Sequence, residues 1–268
     1  MESQDKYFRQ RPSGVKGDSL ISRIDILKIA RKKGFPAGTI EKEYMLTLAL
    51  EQIAKLDENF IFKGGTALSK VYLDYYRISE DLDFTYIGDN LRNAIGTVHT
   101  LSKNLNLEIK DENETSNSYN AAIKFIGPLM HPNNIKIDVS MREKLIFEPK
   151  PINVKSFYSD IEPFPVRVFD FRELLSEKIR ALIQRSKPRD YFDVWFILHN
   201  KDFDWNEIKE AVMEKCRRIG VKYEPDNIFS ETENLKKQWK TDLVHLVKEL
   251  PDFDMVQSEL REKLAFLF

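Results

Sequence analysis

Two closely spaced aspartates, a third one far along the chain and a pair of glycines are the residues of this 268-residue sequence whose types and spacing suit phosphate chemistry. Asp81 and Asp83 stand one residue apart in RISEDLDF. A strand over 82–87 would point both to one side while Leu82 and Phe84 enter the core. Two like charges held side by side repel. Magnesium relieves that conflict, because it takes hard oxygen ligands and bridges carboxylates to phosphates. A solvated acidic turn would explain the same spacing. The third carboxylate is Asp138, in IKIDVS. There Ile135, Ile137 and Val139 define a buried face and leave Lys136, Asp138 and Ser140 opposite. If that strand neighbours the one carrying Asp83, three carboxylates converge on metal, one ion for the nucleotide phosphates and one to lower the pKa of an attacking hydroxyl. Alternation leaves open that Asp138 is an ordinary solvent-facing strand residue.

The glycines lie in FIFKGGTALSKVY. A buried strand over 60–62 runs into Gly64 and Gly65, which permit a tight turn and close approach of a ligand. The helix expected from Thr66 to about residue 73 would aim its free amides at that ligand, with Leu68, Val71 and Tyr72 on its packed side. Thr66 or Ser69 can add a hydroxyl, and Ser79 and Glu80 are close in sequence. A plain strand–helix turn would use the same two glycines.

Lys178 falls within the apolar stripe of a helix over 171–184, between Leu174 and Leu182. A lysine there must snorkel, meet a carboxylate or reach into a cleft, and a triphosphate suits such a point charge. Pro188 breaks the chain, leaving Asp190 to cap or begin the next helix. Arg189 and Asp193 are spaced as an i,i+4 pair.

These residues need elements to hold them. A loose arm is expected over 1–18 and a first helix over 19–32. Thr39 is the expected cap of the helix that continues through 44–56. Further elements are a helix over 91–101, a strand at Ile109, a turn in DENETSNSYN, and strands over 121–126 and 135–139 joined by GPLMHPNN. Pro149, Pro151, Pro163 and Pro165 mark a change of character, after which the pattern reads as helical: 171–184, 190–198, 205–218, and a tail from 233 that Pro251 divides. The expectation is an α/β (α+β) chain, with a domain at 19–165 and a helical domain at 166–268.

Composition bounds the rest. Lys and Arg number 42 against 43 Asp and Glu, a balance that announces no strongly basic nucleic-acid footprint. Lys209, Lys215, Arg217 and Arg218 form a basic spot able to guide a backbone, or simply a solvated helix face. Cys216 is the one cysteine, so an intramolecular disulfide is impossible, and the four histidines do not cluster with it as zinc ligands. Metal chemistry must then lean on carboxylates. The opening MESQDKYFRQRPSG lacks a signal-peptide apolar stretch and no apolar run reaches membrane-spanning length, so a cytoplasmic protein without a membrane segment is expected.

In combination, KGGTALSKVYLDYYRISEDLDFTY and SEKIRALIQRSKPRDYFDVW resemble the AbiEii family of nucleotidyltransferase toxins, within the DNA polymerase beta-like nucleotidyltransferase superfamily. The likeness covers roughly residues 40–200. It departs from the plainer superfamily pattern in having GGT where many members have glycine–serine. It implies a mixed sheet with flanking helices, and a helical C-terminal domain contributing to the active site. It also implies Mg2+-dependent transfer of a nucleoside monophosphate from an NTP to an acceptor hydroxyl on tRNA, and a cognate antitoxin protein as partner. Asp81, Asp83, Asp138, Lys178 and Asp190 are then the expected catalytic residues, the first three as metal ligands. Gly64, Gly65, Thr66, Ser79, Lys178, Arg185 and Arg189 are expected on the nucleotide. A protein or small-molecule hydroxyl as acceptor, or a non-catalytic nucleotide-binding role, are the competing readings.

Overall fold

The computed structural model describes residues 20–142 and 144–268. The arm read at 1–18, and Ser19 with it, lie outside these residues. The chain divides into two compact units, one running to Lys144 and resuming at Pro149–Val168, the other comprising Leu145–Glu148 and Phe169–Phe268.

In the first unit, α1 (Arg23–Lys33) starts later than residue 19, because Ser22 supplies the cap by accepting from the Asp25 amide. Helix α2 (Ala37–Leu56) begins two residues before Thr39, directly after Pro36, and has no side-chain cap. Thr39 therefore lies inside the helix and does not cap it. Most of α2 is buried, including the charged Glu41, Glu43 and Glu51. Glu41 accepts from the Leu129 amide at 2.6 Å, anchoring a distant hairpin turn. Glu43 pairs with buried Lys70, which also donates to Thr47 Oγ1 at 2.6 Å.

Seven strands form one mixed sheet: β1 (Phe60–Lys63), β2 (Asp81–Tyr86), β3 (Glu108–Glu114), β4 (Ser118–Ile126), β5 (Pro132–Ser140), β6 (Lys150–Val154) and β7 (Phe164–Val168). Their order is β3-β4-β5-β2-β1-β7-β6. The β2–β5 and β1–β7 pairs are parallel and the others antiparallel. Phe60, Phe62 and Phe84 share a cavity of ≈ 330 Å³ with Leu50 and Ile53 of α2, so α2 covers the face opposite Asp83. Helix α4 (Leu91–Asn104) packs on α2, β3 and β4.

Three expectations are corrected. The strand expected at Ile109 runs over 108–114 as β3, and the turn in DENETSNSYN shrinks to 115–117. This strand lies at the sheet edge and is exposed at most positions, so it carries no apolar alternation to read. The proline-rich stretch is not an approach to helices only, since it contains β6 and β7. Proline is tolerated there because β6 is an edge and β7 meets β1 only through Val168, away from Pro165. The helix after the glycines starts at Gly64, as α3 (Gly64–Ala67), and passes into a π-helical turn at Leu68–Tyr72. The π turn buries Ser69 and Lys70 with Leu68, while Val71 and Tyr72 are only half-buried.

The second unit is helical: α5 (Phe171–Gln184), α6 (Pro188–Asn200), α7 (Trp205–Arg218), α8 (Thr232–Leu243) and α9 (Phe253–Lys263), with 3-10 turns at Pro225–Phe229 and Ala265–Leu267. Leu174, Leu175, Ile179 and Leu182 of α5 are fully buried. Buried Glu173 accepts from the Ile146 and Phe147 amides and from Lys215 at 2.6 Å, fastening the 145–148 segment to this unit. Lys215 thus serves an internal ion pair, unlike a solvated basic residue. No helix among the described residues is long and apolar enough to cross a membrane.

Candidate active site

Strand β1 delivers the chain to a turn that only glycine can make. Gly64 has φ +76°, and a Cβ there would run into the Asp83 carboxylate. A Cβ on Gly65 would collide with the Arg77 guanidinium and crowd Ser79 Oγ. The turn is therefore stripped of side chains where it meets the acidic strand. Thr66 is buried, and its hydroxyl donates to the Asp81 carbonyl at 2.5 Å. It ties the turn to β2 and does not stand open toward a ligand. Ser69 is likewise committed, donating to the Arg77 carbonyl at 2.6 Å.

The register settles where the carboxylates lie. Asp83 is the partner of Asp138 across the parallel β2–β5 ladder, and Asp81 is the partner of Lys136. Paired residues point to one face, so Asp81, Asp83 and Asp138 rise together from the side away from α2. Burial holds the Asp81 carboxyl above the ordinary carboxylate range; Lys42 and Lys136 pull it down, while Glu80 and Asp138 push it further up. The Lys42 ammonium lies 3.6 Å from Glu80 at the head of this strand.

The donor chemistry of these three carboxylates fits a divalent cation: hard oxygens on adjacent strands, with one carboxyl whose ionised form is disfavoured by burial and like charge. As the side chains lie, no group of three acidic, histidine or cysteine residues among those described is gathered closely enough to hold a metal. The Asp138 carboxylate instead accepts from the Asn120 amide, while Asp83 lies against Gly64.

In the helical unit, Lys178 meets carboxylates, one of the three fates open to it. Its ammonium lies 2.8 Å from both Asp190 and Asp193. Pro188 is at the first turn of α6, so Asp190 falls inside the helix; its side chain turns to Lys178 and does not cap. Asp190 Oδ2 is buried with no hydrogen-bond partner, and Arg185 Nε stands 3.7 Å from it. Arg185 is exposed and Arg189 half-buried on the same helix–turn–helix.

Sequence reasoning passed over three residues of these constellations. Asn120 sat in a supposed turn. Lys42 lies within α2, and no spacing ties it to the acidic strand. Arg77 carries a readable signal, a lone arginine two residues before Ser79-x-Asp81-x-Asp83, but its burial under Gly65 is tertiary.

A family model described as "Nucleotidyl transferase AbiEii toxin, Type IV TA system" matches residues 48–264. A comparison with curated proteins finds no significant match. Among solved structures, MenT4, a nucleotidyltransferase toxin from Mycobacterium tuberculosis H37Rv, superposes with a TM-score of 0.68 at 13% identity, covering 92% of this chain and 90% of its own. JHP933 from Helicobacter pylori gives a TM-score of 0.61 at 20% identity, over 87% of this chain and 93% of its own. At such identities these two likenesses speak to the fold.

Proposed function

This chain belongs to the AbiEii family of nucleotidyltransferase toxins of type IV toxin–antitoxin systems, and from that premise we propose that it transfers a nucleoside monophosphate from an NTP to the terminal hydroxyl of an RNA, with tRNA as the acceptor and Mg2+ as the metal. The observation that carries this reading is the register pairing of Asp83 with Asp138 beside the side-chain-free turn at Gly64 and Gly65. Asp81, Asp83 and Asp138 would hold the divalent cation, which supplies charge neutralisation at the phosphates and a more acidic attacking hydroxyl.

The remaining roles belong to the protein. The amides at the start of α3 receive phosphate oxygens. Asp138 takes the proton of the acceptor hydroxyl as its oxygen bonds to the α-phosphorus. The bond from that phosphorus to the β-phosphate oxygen breaks, and pyrophosphate leaves. Lys178, oriented by Asp190, is assigned to the phosphates together with Arg185 and Arg189, and Ser79 lies beside the glycine turn as a further contact. Membership of the family also implies an antitoxin, which we assign as a separate protein.

The test is incubation with each of the four labelled NTPs, total RNA and Mg2+. Label should appear in tRNA-sized RNA, disappear with EDTA, and disappear in Asp83→Ala. Label in protein alone would move the acceptor to a protein hydroxyl. Undiminished transfer by Asp83→Ala would overturn the metal role.

A further inference from the structure

On the face that bears the carboxylates, one polar row crosses the sheet. Asn113 of β3 is the register partner of Asn120 of β4, Asn120 of Asp138 in β5, and Asp138 of Asp83 in β2. A second row beside it runs Asp111, Ala122, Lys136, Asp81. Over β3, β4 and β5 these rows line an open cleft of ≈ 340 Å³. Ala122 gives the cleft its depth, because a single methyl group stands between Asp111 and Lys136.

Strand order gives the cleft a direction. In-line displacement needs the attacking oxygen and the leaving pyrophosphate on opposite sides of the α-phosphorus. The glycine turn follows β1 and touches β2, on one side of Asp138. The cleft lies on the other side, over β4 and β3. A triphosphate seated at the turn therefore leaves the cleft for the acceptor.

The lining decides what enters. Asn113 and Asn120 present neutral amides that both donate and accept, as sugar hydroxyls require. Asn120 uses one N–H on Asp138 and keeps its carbonyl and second N–H. Asp111 opposes Lys136, the single cation of the lining, so the cleft has no surplus positive charge to favour a phosphate group.

We propose that this cleft is the acceptor subsite and that it takes the neutral, hydroxyl-bearing sugar of the acceptor, with Asn113 and Asn120 bonding to its hydroxyls and Asp138 facing the one that attacks. The proposal rests on the transfer reaction given above. It places the acceptor's phosphates outside the cleft, and it makes a ribose cis-diol a better terminus than a deoxyribose.

Two variants test it. Ala122→Leu fills the cleft without removing a polar group, and Asn113→Ala removes one amide from an exposed edge strand. Binding of fluorescently labelled RNA is measured by anisotropy with Mg2+ and a non-hydrolysable NTP, alongside the acceptor KM in the transfer assay. Ala122→Leu should weaken RNA binding and raise the acceptor KM by about tenfold or more, with NTP affinity unchanged. Wild type should favour an RNA ending in ribose over one ending in 2′-deoxyribose, and Asn113→Ala should narrow that preference. An aminoglycoside serves as the free-sugar arm; if it is the better acceptor, the same variants should raise its KM. Active variants with unchanged acceptor KM and binding overturn the cleft while leaving the transfer reaction standing. A wild-type protein that neither binds nor modifies RNA or aminoglycoside overturns both.

Discussion

Asp83 and Asp138 are direct partners across parallel strands, with Asp83 set against Gly64 and Asp138 accepting from the Asn120 amide. Two anions rising side by side repel. A divalent cation would draw them together. Removing one charge should then have opposite effects with and without metal. Asp138→Asn should raise the melting temperature in EDTA and abolish the rise that Mg2+ or Mn2+ produces in the wild type. At a metal concentration of about 100 times Kd, the wild-type gain should be about 2.7 kcal/mol. An equal metal-induced shift in both proteins would remove Asp138 from the ligand set.

Asp81 makes a prediction that depends on pH. Its folded-state pKa is raised, chiefly by burial. A raised carboxyl pKa means the folded protein binds this proton more tightly than the unfolded chain. The group therefore favours folding at low pH, and that contribution is lost as pH rises through the folded pKa. Asp81→Asn should gain stability relative to wild type as pH is raised through this range in EDTA, read by urea denaturation at several pH values. Metal binding, which needs the ionised carboxylate, should weaken on acidification at a pH above the ordinary carboxylate range. A stability difference that is flat across pH would contradict both.

Gly64→Ala tests the turn. A left-handed φ costs a side-chain-bearing residue about 1–2 kcal/mol, and the new Cβ would displace the Asp83 carboxylate. Stability should fall by about that amount, while transfer should fall by about a hundredfold or more, because a misplaced reacting group is the dominant loss. Gly38→Ala is the control: it lies in α2 with open space around it and should leave transfer intact. A Gly64→Ala enzyme with normal transfer would separate the turn from the phosphates.

How much of this was legible in the sequence follows from how local each feature is. The alternation of Ile135, Ile137 and Val139 is local, and it put Asp138 on the correct face. The partnership of Asp138 with Asp83 is a property of strand order, which no spacing records. Strand β3 is legible at Ile109 but not beyond it, because its side chains meet water along most of its length, so Asn113 and, next door, Asn120 read as turn. Strands β6 and β7 hid behind prolines, which an edge strand and the side of β7 that meets β1 only at Val168 can accept. The burial of Lys70 and Glu43 was invisible for the opposite reason: charged residues are read as solvated unless a partner is known, and their partnership spans two elements.

Lys178 carries the last prediction, because its structural and chemical roles can be pulled apart. Its ammonium lies between two carboxylates, Asp190 and Asp193, the latter fully buried. Lys178→Met would leave both anions without it, and breaking a buried pair from one side costs about 3–5 kcal/mol. The single variant should therefore unfold at markedly lower urea and show no transfer, an outcome that does not separate the two roles. A triple variant, Lys178→Met with Asp190→Asn and Asp193→Asn, removes the lysine together with both carboxylates it meets and should recover most of the lost stability. If the lysine acts on phosphates, the restored fold remains inactive and its NTP affinity remains low in a calorimetric titration. Transfer that returns with the fold would make Lys178 a structural residue and leave the phosphates to the glycine turn and the metal.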